Sequence, residues 1–303
     1  MLNDLIKIAE NHGDKLAVVS IENIREMQKD MEKYRSENDA TLSAYEKSIY
    51  DEVFQFDKLL PNAQSIIIVA IPRPAYANVT FDHNGKQYKG FSGVAAKAEK
   101  TASYITDFVR SKGYEINREP RLPQKRIAVQ SGLAQYGRNN IAYVDGMGSA
   151  LALMAFSADM PCENTEWREV VVSSVCKNCE ICQTLCPTNA IKRDKFHIDS
   201  NICLTRMNRS HDDFPDWLPP GAHHSMYYCL MCQMHCPMNK GLETIDVHFD
   251  EAETERLLER APYDDAPQGL KDKLLLLGVG KIEALPRNLR VLFDAVDDGH
   301  VHN

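Results

Sequence analysis

Eight of the nine cysteines in this 303-residue chain fall between Cys176 and Cys236, and no other feature restricts its fold as tightly. Four form one run, Cys176, Cys179, Cys182 and Cys186, closed by Pro187. A second region supplies Cys203, then Cys229, Cys232 and Cys236, closed by Pro237. The opening residues, MLNDLIKIAENHGDKL, alternate charged and apolar side chains and contain no signal-peptide core. In a chain without a secretion signal, cysteines this crowded argue for metal or sulfide ligation rather than for disulfides.

The spacing identifies the ligand. Three thiolates two residues apart wrap one face of a cubane, and a fourth, three residues on and fixed by proline, points to a neighbouring cluster, as in bacterial two-cluster ferredoxins. Eight thiolates suffice for two 4Fe-4S clusters. The crossed arrangement assigns Cys176, Cys179, Cys182 and Cys236 to the first, and Cys186, Cys203, Cys229 and Cys232 to the second. Structural zinc also takes tetrahedral thiolates, but it favours separated cysteine pairs without the Cys-Pro endings. Cys162 lies outside this count and reads as an ordinary thiol.

The rest of the chain reads as mixed α and β structure. A helix is expected over residues 4–11 and strands over 16–20 and 65–71, the latter a β-rich run of the kind buried on both faces. Residues 75–91 read as a polar and aromatic loop, followed by a helix over 95–109. A strand is expected at 114–116, a helix over 125–131, and strands over 141–144 and 151–156. Further helices are expected near 250–260, 270–277 and 286–297. The organisation is therefore an α/β cofactor-binding domain over residues 1–168, a double-cluster ferredoxin-like module over 169–245 and a short helical tail over 246–303. With 35 basic against 43 acidic residues the net charge is -8, which gives no footprint for DNA. The apolar runs are too short for a membrane span, so a cytoplasmic location is expected.

Neither a Gly-x-Gly-x-x-Gly fingerprint nor a Walker loop is present, which argues against an ordinary dinucleotide fold or an ATPase. Three segments, Leu59–Ala70, Arg121–Lys125 and Ser131–Asn140, stand in this order before the cysteines. Together they resemble the cobalamin-dependent iron–sulfur reductases typified by epoxyqueuosine reductase, with corrinoid reductive dehalogenases more distant. The resemblance implies an α+β fold: a nitroreductase-like corrinoid-binding domain joined to the ferredoxin module and the helical tail. It also implies electron delivery from the adjacent cluster to cobalamin, with flavin as the alternative cofactor. Gly132, Leu133, Tyr136, Gly137, Arg138 and Asn139 would contact the corrin, and Gly146, Gly148 and Ser149 would add a second backbone-rich loop. Arg121 and Lys125 would neutralise corrin side chains or a substrate carboxylate.

In that family an aspartate proposed as proton donor stands at the entrance to the helix that begins here near Gly93. This chain instead reads Tyr88-Lys89-Gly90-Phe91-Ser92 at that place. Tyr88 is therefore the first candidate donor, followed by Tyr76, His83 and Tyr136. The missing carboxylate and the short tail lead to the expectation of a small-molecule substrate or a corrinoid protein partner rather than a tRNA. Alternatives are an electron-transfer protein that reactivates a partner's corrinoid, and a flavin-dependent reductase. A low-potential ferredoxin or flavodoxin would supply electrons.

Overall fold

The computed structural model describes residues 1–300 apart from 43, 120, 164, 165, 195 and 260–262, and of residues 44, 45, 52 and 53 the backbone alone. Helix α1 (Leu2–Asn11) places Leu5 and Ala9, one turn apart, on its buried face. Strand β1 (Lys15–Ser20) runs directly into α2 (Ile21–Asn38), where the Ser20 hydroxyl accepts a hydrogen bond from Glu22 N at 3.3 Å and caps the helix. Strand β2 (Ser65–Pro72) then enters the middle of a four-stranded sheet, between β1 and a strand at Leu151–Ala158, with Ile116–Arg118 at the far edge. Strands β3 (Ala77–His83) and β4 (Lys86–Ser92), helix α3 (Ala98–Ser111), β5 (Ile116–Arg118) and α4 (Gln124–Gln130) follow. The short β6 (Gln135–Tyr136) and β7 (Ala142–Tyr143) precede β8 (Leu151–Ala158).

β2 explains the layering. Its pairings with β1 and β8 are both antiparallel, with Val18 opposite Ile67 and Ile67 opposite Phe156. Its alternate residues feed two cores, because successive side chains of a strand point to opposite faces. Ile66, Ile68 and Ala70 pack with Ile24, Met27 and Met31 of α2 and with Ile127 and Ala128 of α4. Ile67, Val69 and Ile71 pack with Leu5 and Ala9 of α1 and with Ile105 and Val109 of α3. Each isoleucine here is essentially fully buried, stabilising the fold by about 1.5–3 kcal/mol. Cys162 packs against the second of these cores. Among the described residues no helix is long and apolar enough to cross a membrane.

Residues 75–91, expected as a loop, form the β3–β4 hairpin. Asn84 and Gly85 occupy its turn with φ of +52° and +71°, the left-handed pair that a two-residue hairpin loop requires. The described part of residues 246–303, expected as a helical tail, builds a third core on this hairpin. Strand β9 (Ile245–Phe249) pairs parallel to β3, with Val79 opposite Val247. Helices α5 (Glu251–Leu258), α6 (Gln268–Leu276) and α7 (Leu285–Asp297) complete it. Asp250 and Glu253 form a reciprocal capping box at the start of α5. Phe81 stacks on Phe249 at 5.1 Å, and Leu289 and Leu292 of α7 are fully buried beneath the hairpin.

Candidate functional site

The cysteine-rich segment has little regular structure. Single-turn helices at Ile181–Thr184 and Met231–Met234 pack together and bring the two cysteine runs side by side. Cys176, Cys179, Cys182 and Cys236 line one small cavity with Gly137, Asn139 and Tyr143. Burial, and then the neighbouring charges of Cys176, Cys179 and Cys236, push the Cys182 thiol up to about 11. On the other side, burial pushes Cys229 up to about 12, with Cys203 and Cys186 as the nearby thiols that add to the shift. The same burial raises Cys203, and raises Cys232 further. Cys176, Cys179, Cys182 and Cys236 thus share one cavity, while Cys203 and Cys186 act on Cys229, and Cys232 feels Cys229 and Cys203 as well as Cys182. Among the described residues no His, Cys, Asp or Glu trio converges to hold a single ion.

Polar groups surround the second set. Ala190 N donates to Cys186 Sγ at 3.2 Å. His224 Nε2 lies 3.7 Å from Cys229 Sγ and 2.8 Å from the Cys229 carbonyl oxygen, which can only accept, so this nitrogen carries a proton. Burial lowers the pKa of His224 and leaves it neutral. Such contacts tune the potential of a cluster and fix its ligands.

The α/β layer meets the cysteines through the loop that joins β6 to β7. Asn139 Nδ2 donates to Tyr143 Oη at 2.9 Å and to the Cys232 carbonyl at 3.3 Å. Arg138 Nη2 donates to the Cys176 carbonyl at 2.6 Å. Burial and the neighbouring Cys236 thiol raise the pKa of Tyr143, so it remains a phenol. The glycines expected against a corrin meet protein instead. A Cβ on Gly137 would lie 2.5 Å from the Tyr143 ring, and one on Gly132 the same distance from the Arg168 guanidinium. At Gly148, where φ is +56°, a Cβ would collide with Asn239 Oδ1. Ser149 N donates to that same oxygen at 2.7 Å. Gly148 and Ser149 thus form a joint that docks the cysteine-rich segment. Gly146, also at positive φ, has only Lys15 Nζ near its Cβ position.

The other face of the same loop walls a cleft of about 680 Å³. Of the predicted site residues Tyr136 and Lys125 line it, and Asn140, next to the predicted Asn139, does so as well. Lys125 Nζ donates to the Asn140 carbonyl at 3.0 Å; its side chain opens into the cleft but is surrounded by protein, and the lost hydration lowers its pKa. Burial pushes the Tyr136 phenol up to about 12. Tyr34, Tyr50, Phe54, Phe196 and His197 also line the cleft, and sequence reasoning missed them. One signal existed, since Met27, Met31 and Tyr34 recur at helical spacing along α2. Leu133 packs on the core beside the cleft, and Arg121 is exposed and outside its lining.

Three of the candidate proton donors lie elsewhere. Tyr88 stacks on Phe293 of α7 at 4.1 Å and donates to Asp297 Oδ2 at 3.0 Å. His83 lies 3.7 Å from Glu251, and Tyr76 meets Phe91 edge-on. All three belong to the β3–β4 region and are absent from the cleft lining; the hairpin packs on the C-terminal helices, where Phe293 and Asp297 hold Tyr88. Of the four candidates, the structure brings only Tyr136 to the cleft.

Comparisons with known proteins agree with this architecture. The family model of a 4Fe-4S double cluster binding domain matches residues 175–239. The chain is 23% identical to epoxyqueuosine reductase of Bacillus subtilis (strain 168) over 215 residues, covering 66% of this chain and 54% of that protein. For the Staphylococcus aureus enzyme the identity is 24% over 254 residues, covering 80% of this chain and 65% of that protein. The chain thus spans roughly half to two thirds of these curated relatives. The solved structure of the Bacillus subtilis enzyme superposes with a TM-score of 0.71 at 19% identity, covering 98% of this chain and 82% of that one.

One expectation is overturned here. A substrate other than tRNA was inferred from the missing carboxylate and the short tail, yet these curated relatives are epoxyqueuosine reductases. A structure of epoxyqueuosine reductase holding an epoxyqueuosine-modified tRNA-Tyr stem loop also superposes, with a TM-score of 0.69 at 19% identity over 97% of this chain and 80% of that one. The tail argument fails because the helices after residue 250 pack into the fold, and net acidity says nothing about local basic surfaces. The chain thus carries a 4Fe-4S double cluster binding domain on the fold of the epoxyqueuosine reductases, which it resembles in sequence along most of its length.

Proposed function

We propose that this chain is a cobalamin-dependent iron–sulfur reductase that removes the epoxide oxygen of epoxyqueuosine in tRNA. The observation that carries the reading is the double duty of the β6–β7 loop. Gly137 and Asn139 wall the first cysteine cavity, while Tyr136 and Asn140 wall the large cleft. A cofactor in the cleft would stand one loop away from a cluster. The names of the relatives support the substrate.

The cleft suits a large flat cofactor with polar arms. Tyr50, Phe54 and Phe196 offer aromatic surface, and Lys125 and Asn140 offer polar groups at its edge. Cobalamin held there would supply a low-potential cobalt centre for two-electron reduction, and clusters held by the eight cysteines would pass it electrons singly. Overall, an epoxide, two electrons and two protons give an alkene and water, so both carbon–oxygen bonds break and the oxygen must be protonated as it leaves. Lys125, a cation at the cleft whose Nζ donates to the Asn140 carbonyl, would be the candidate to hold that proton.

The test is direct. Cluster-reconstituted protein, cobalamin and a chemical reductant are incubated anaerobically with epoxyqueuosine-containing tRNA, and the digested nucleosides are analysed by mass. Loss of one oxygen from the modified base, dependent on cobalamin and on the clusters, is expected. Unchanged epoxyqueuosine with intact clusters and bound cobalamin would refute the substrate.

A further inference from the structure

A second cleft, of about 440 Å³, adjoins the first and shares Phe196 with it. Arg138, Ser173, Lys177 and Arg193 contribute its polar wall, together with Asp194. Ser173 is only 5% exposed, and its buried Oγ has no hydrogen-bond partner. The residue precedes the turn Ser174–Cys176, but its hydroxyl does not cap that turn. Arg138 Nε is likewise buried without a partner, although Nη2 of the same guanidinium is engaged by the Cys176 and Lys177 carbonyls.

Both atoms belong to residues that line the cleft, and a buried donor left unsatisfied costs about 1–3 kcal/mol. The local charge indicates what would satisfy them. Arg138, Lys177 and Arg193 share the lining with Asp194, and Glu180, outside it, is ion-paired with Arg193. Among these described residues one positive charge remains in excess. A ligand rich in acceptors and bearing negative charge answers the guanidinium N–H and the hydroxyl together, and charge-assisted bonds of this kind are the strong ones.

We infer that this cleft binds a phosphate group, held by the Arg138 guanidinium and the Ser173 hydroxyl with Lys177 at the rim. Phosphate binding stands on the cleft itself. Its source rests on the proposed function and is either a phosphodiester of the tRNA or the phosphate in the nucleotide tail of cobalamin.

The first experiment needs neither source. Arg138 and Lys177 adjoin the first cysteine cavity, so inorganic phosphate in the cleft is relaxed by the paramagnetism of the reduced cluster. Phosphorus-31 relaxation is measured on the cluster-reconstituted, dithionite-reduced protein. Enhanced relaxation in the parent protein, cut at least threefold in Ser173→Ala and abolished in Arg138→Gln, is expected. Ser173→Ala removes a hydroxyl with no protein partner and leaves the fold intact; cluster absorbance checks Arg138→Gln, which also frees the Cys176 loop. Equal relaxation in the parent and Ser173→Ala overturns the inference.

The source is then read by titration. If the tail phosphate sits here, Arg138→Gln weakens cobalamin about tenfold, or about 1.4 kcal/mol, and leaves phosphate-free cobinamide unchanged. If RNA sits here, the same variant weakens an anticodon stem loop and neither corrinoid. Failure of both corrinoids to bind the parent protein would defeat the cobalamin reading alone, leaving the phosphate result to stand or fall by itself.

Discussion

Asn139 Nδ2 donates to the backbone carbonyl of Cys232 at 3.3 Å, a bond across 93 residues of sequence that ties the β6–β7 loop to the second cysteine run. The crossed assignment gives Cys232 to the second thiol group, whereas Asn139 itself lines the cavity of the first. The loop therefore registers both sets against the cleft. Replacing Asn139 with Ala leaves the Cys232 carbonyl and the Tyr143 hydroxyl short of a buried donor. A loss of about 1–3 kcal/mol in denaturant unfolding is expected, with slower reduction of the cleft cofactor than of the clusters.

The crossed assignment of the thiols has a distinctive test. Cys176 and Cys236 line the same cavity although 60 residues separate them. Cys176→Ser together with Cys236→Ser should thus damage one cluster only and lower the iron content from about eight to about four per chain. An uncrossed arrangement, with each run holding its own cluster, would lose both. Iron analysis with Mössbauer spectroscopy distinguishes the two.

His223 gives the fold an acid-sensitive point. Burial, reinforced by His224 and Arg287, depresses its pKa to about 4, and its ring lies edge-on to Phe214 at 4.6 Å. Between that value and the ordinary value near 6.5 the unfolded chain binds a proton that the folded chain refuses. The stability it contributes is present above pH 6.5 and is lost as the pH falls through 4, by at most about 1.4 kcal/mol per unit. Urea titrations from pH 7 to pH 4 should show that slope, and His223→Phe should flatten it.

Gly85 closes the β3–β4 turn at φ +71° with nothing within 4 Å of a Cβ, so a substitution there reports on backbone strain alone. Gly85→Ala should cost about 1–2 kcal/mol. Because this hairpin carries the core shared with α7, the loss should appear in the unfolding of the whole C-terminal region. Hydrogen exchange in β9 and α7 would measure it.

The cysteine spacing made the clusters legible, because ligand geometry is a local property of the chain. β2 was legible for a similar reason, since six apolar residues in a row fit a strand covered on both faces. The hairpin was less so. Its aromatic residues read as a loop, although Asn84-Gly85 between the alternating Val79, Phe81 and Tyr88 was the available signal. The donor residues failed for a different reason. Tyr88 belongs with Phe293 and Asp297 from α7, a partnership across some two hundred residues that no local pattern announces. The glycines were recognised as places where a side chain does not fit, but what fills the space at Gly132, Gly137 and Gly148 is Arg168, Tyr143 and Asn239.

The most direct test of the account is magnetic. If one loop separates the cofactor cleft from the first cluster, cob(II)alamin bound to the chemically reduced protein should show an electron paramagnetic resonance signal broadened by spin coupling to that cluster. The broadening should vanish in the Cys176→Ser, Cys236→Ser double variant while cobalamin still binds. Bound cobalamin with a sharp, uncoupled signal beside an intact reduced cluster would contradict the account.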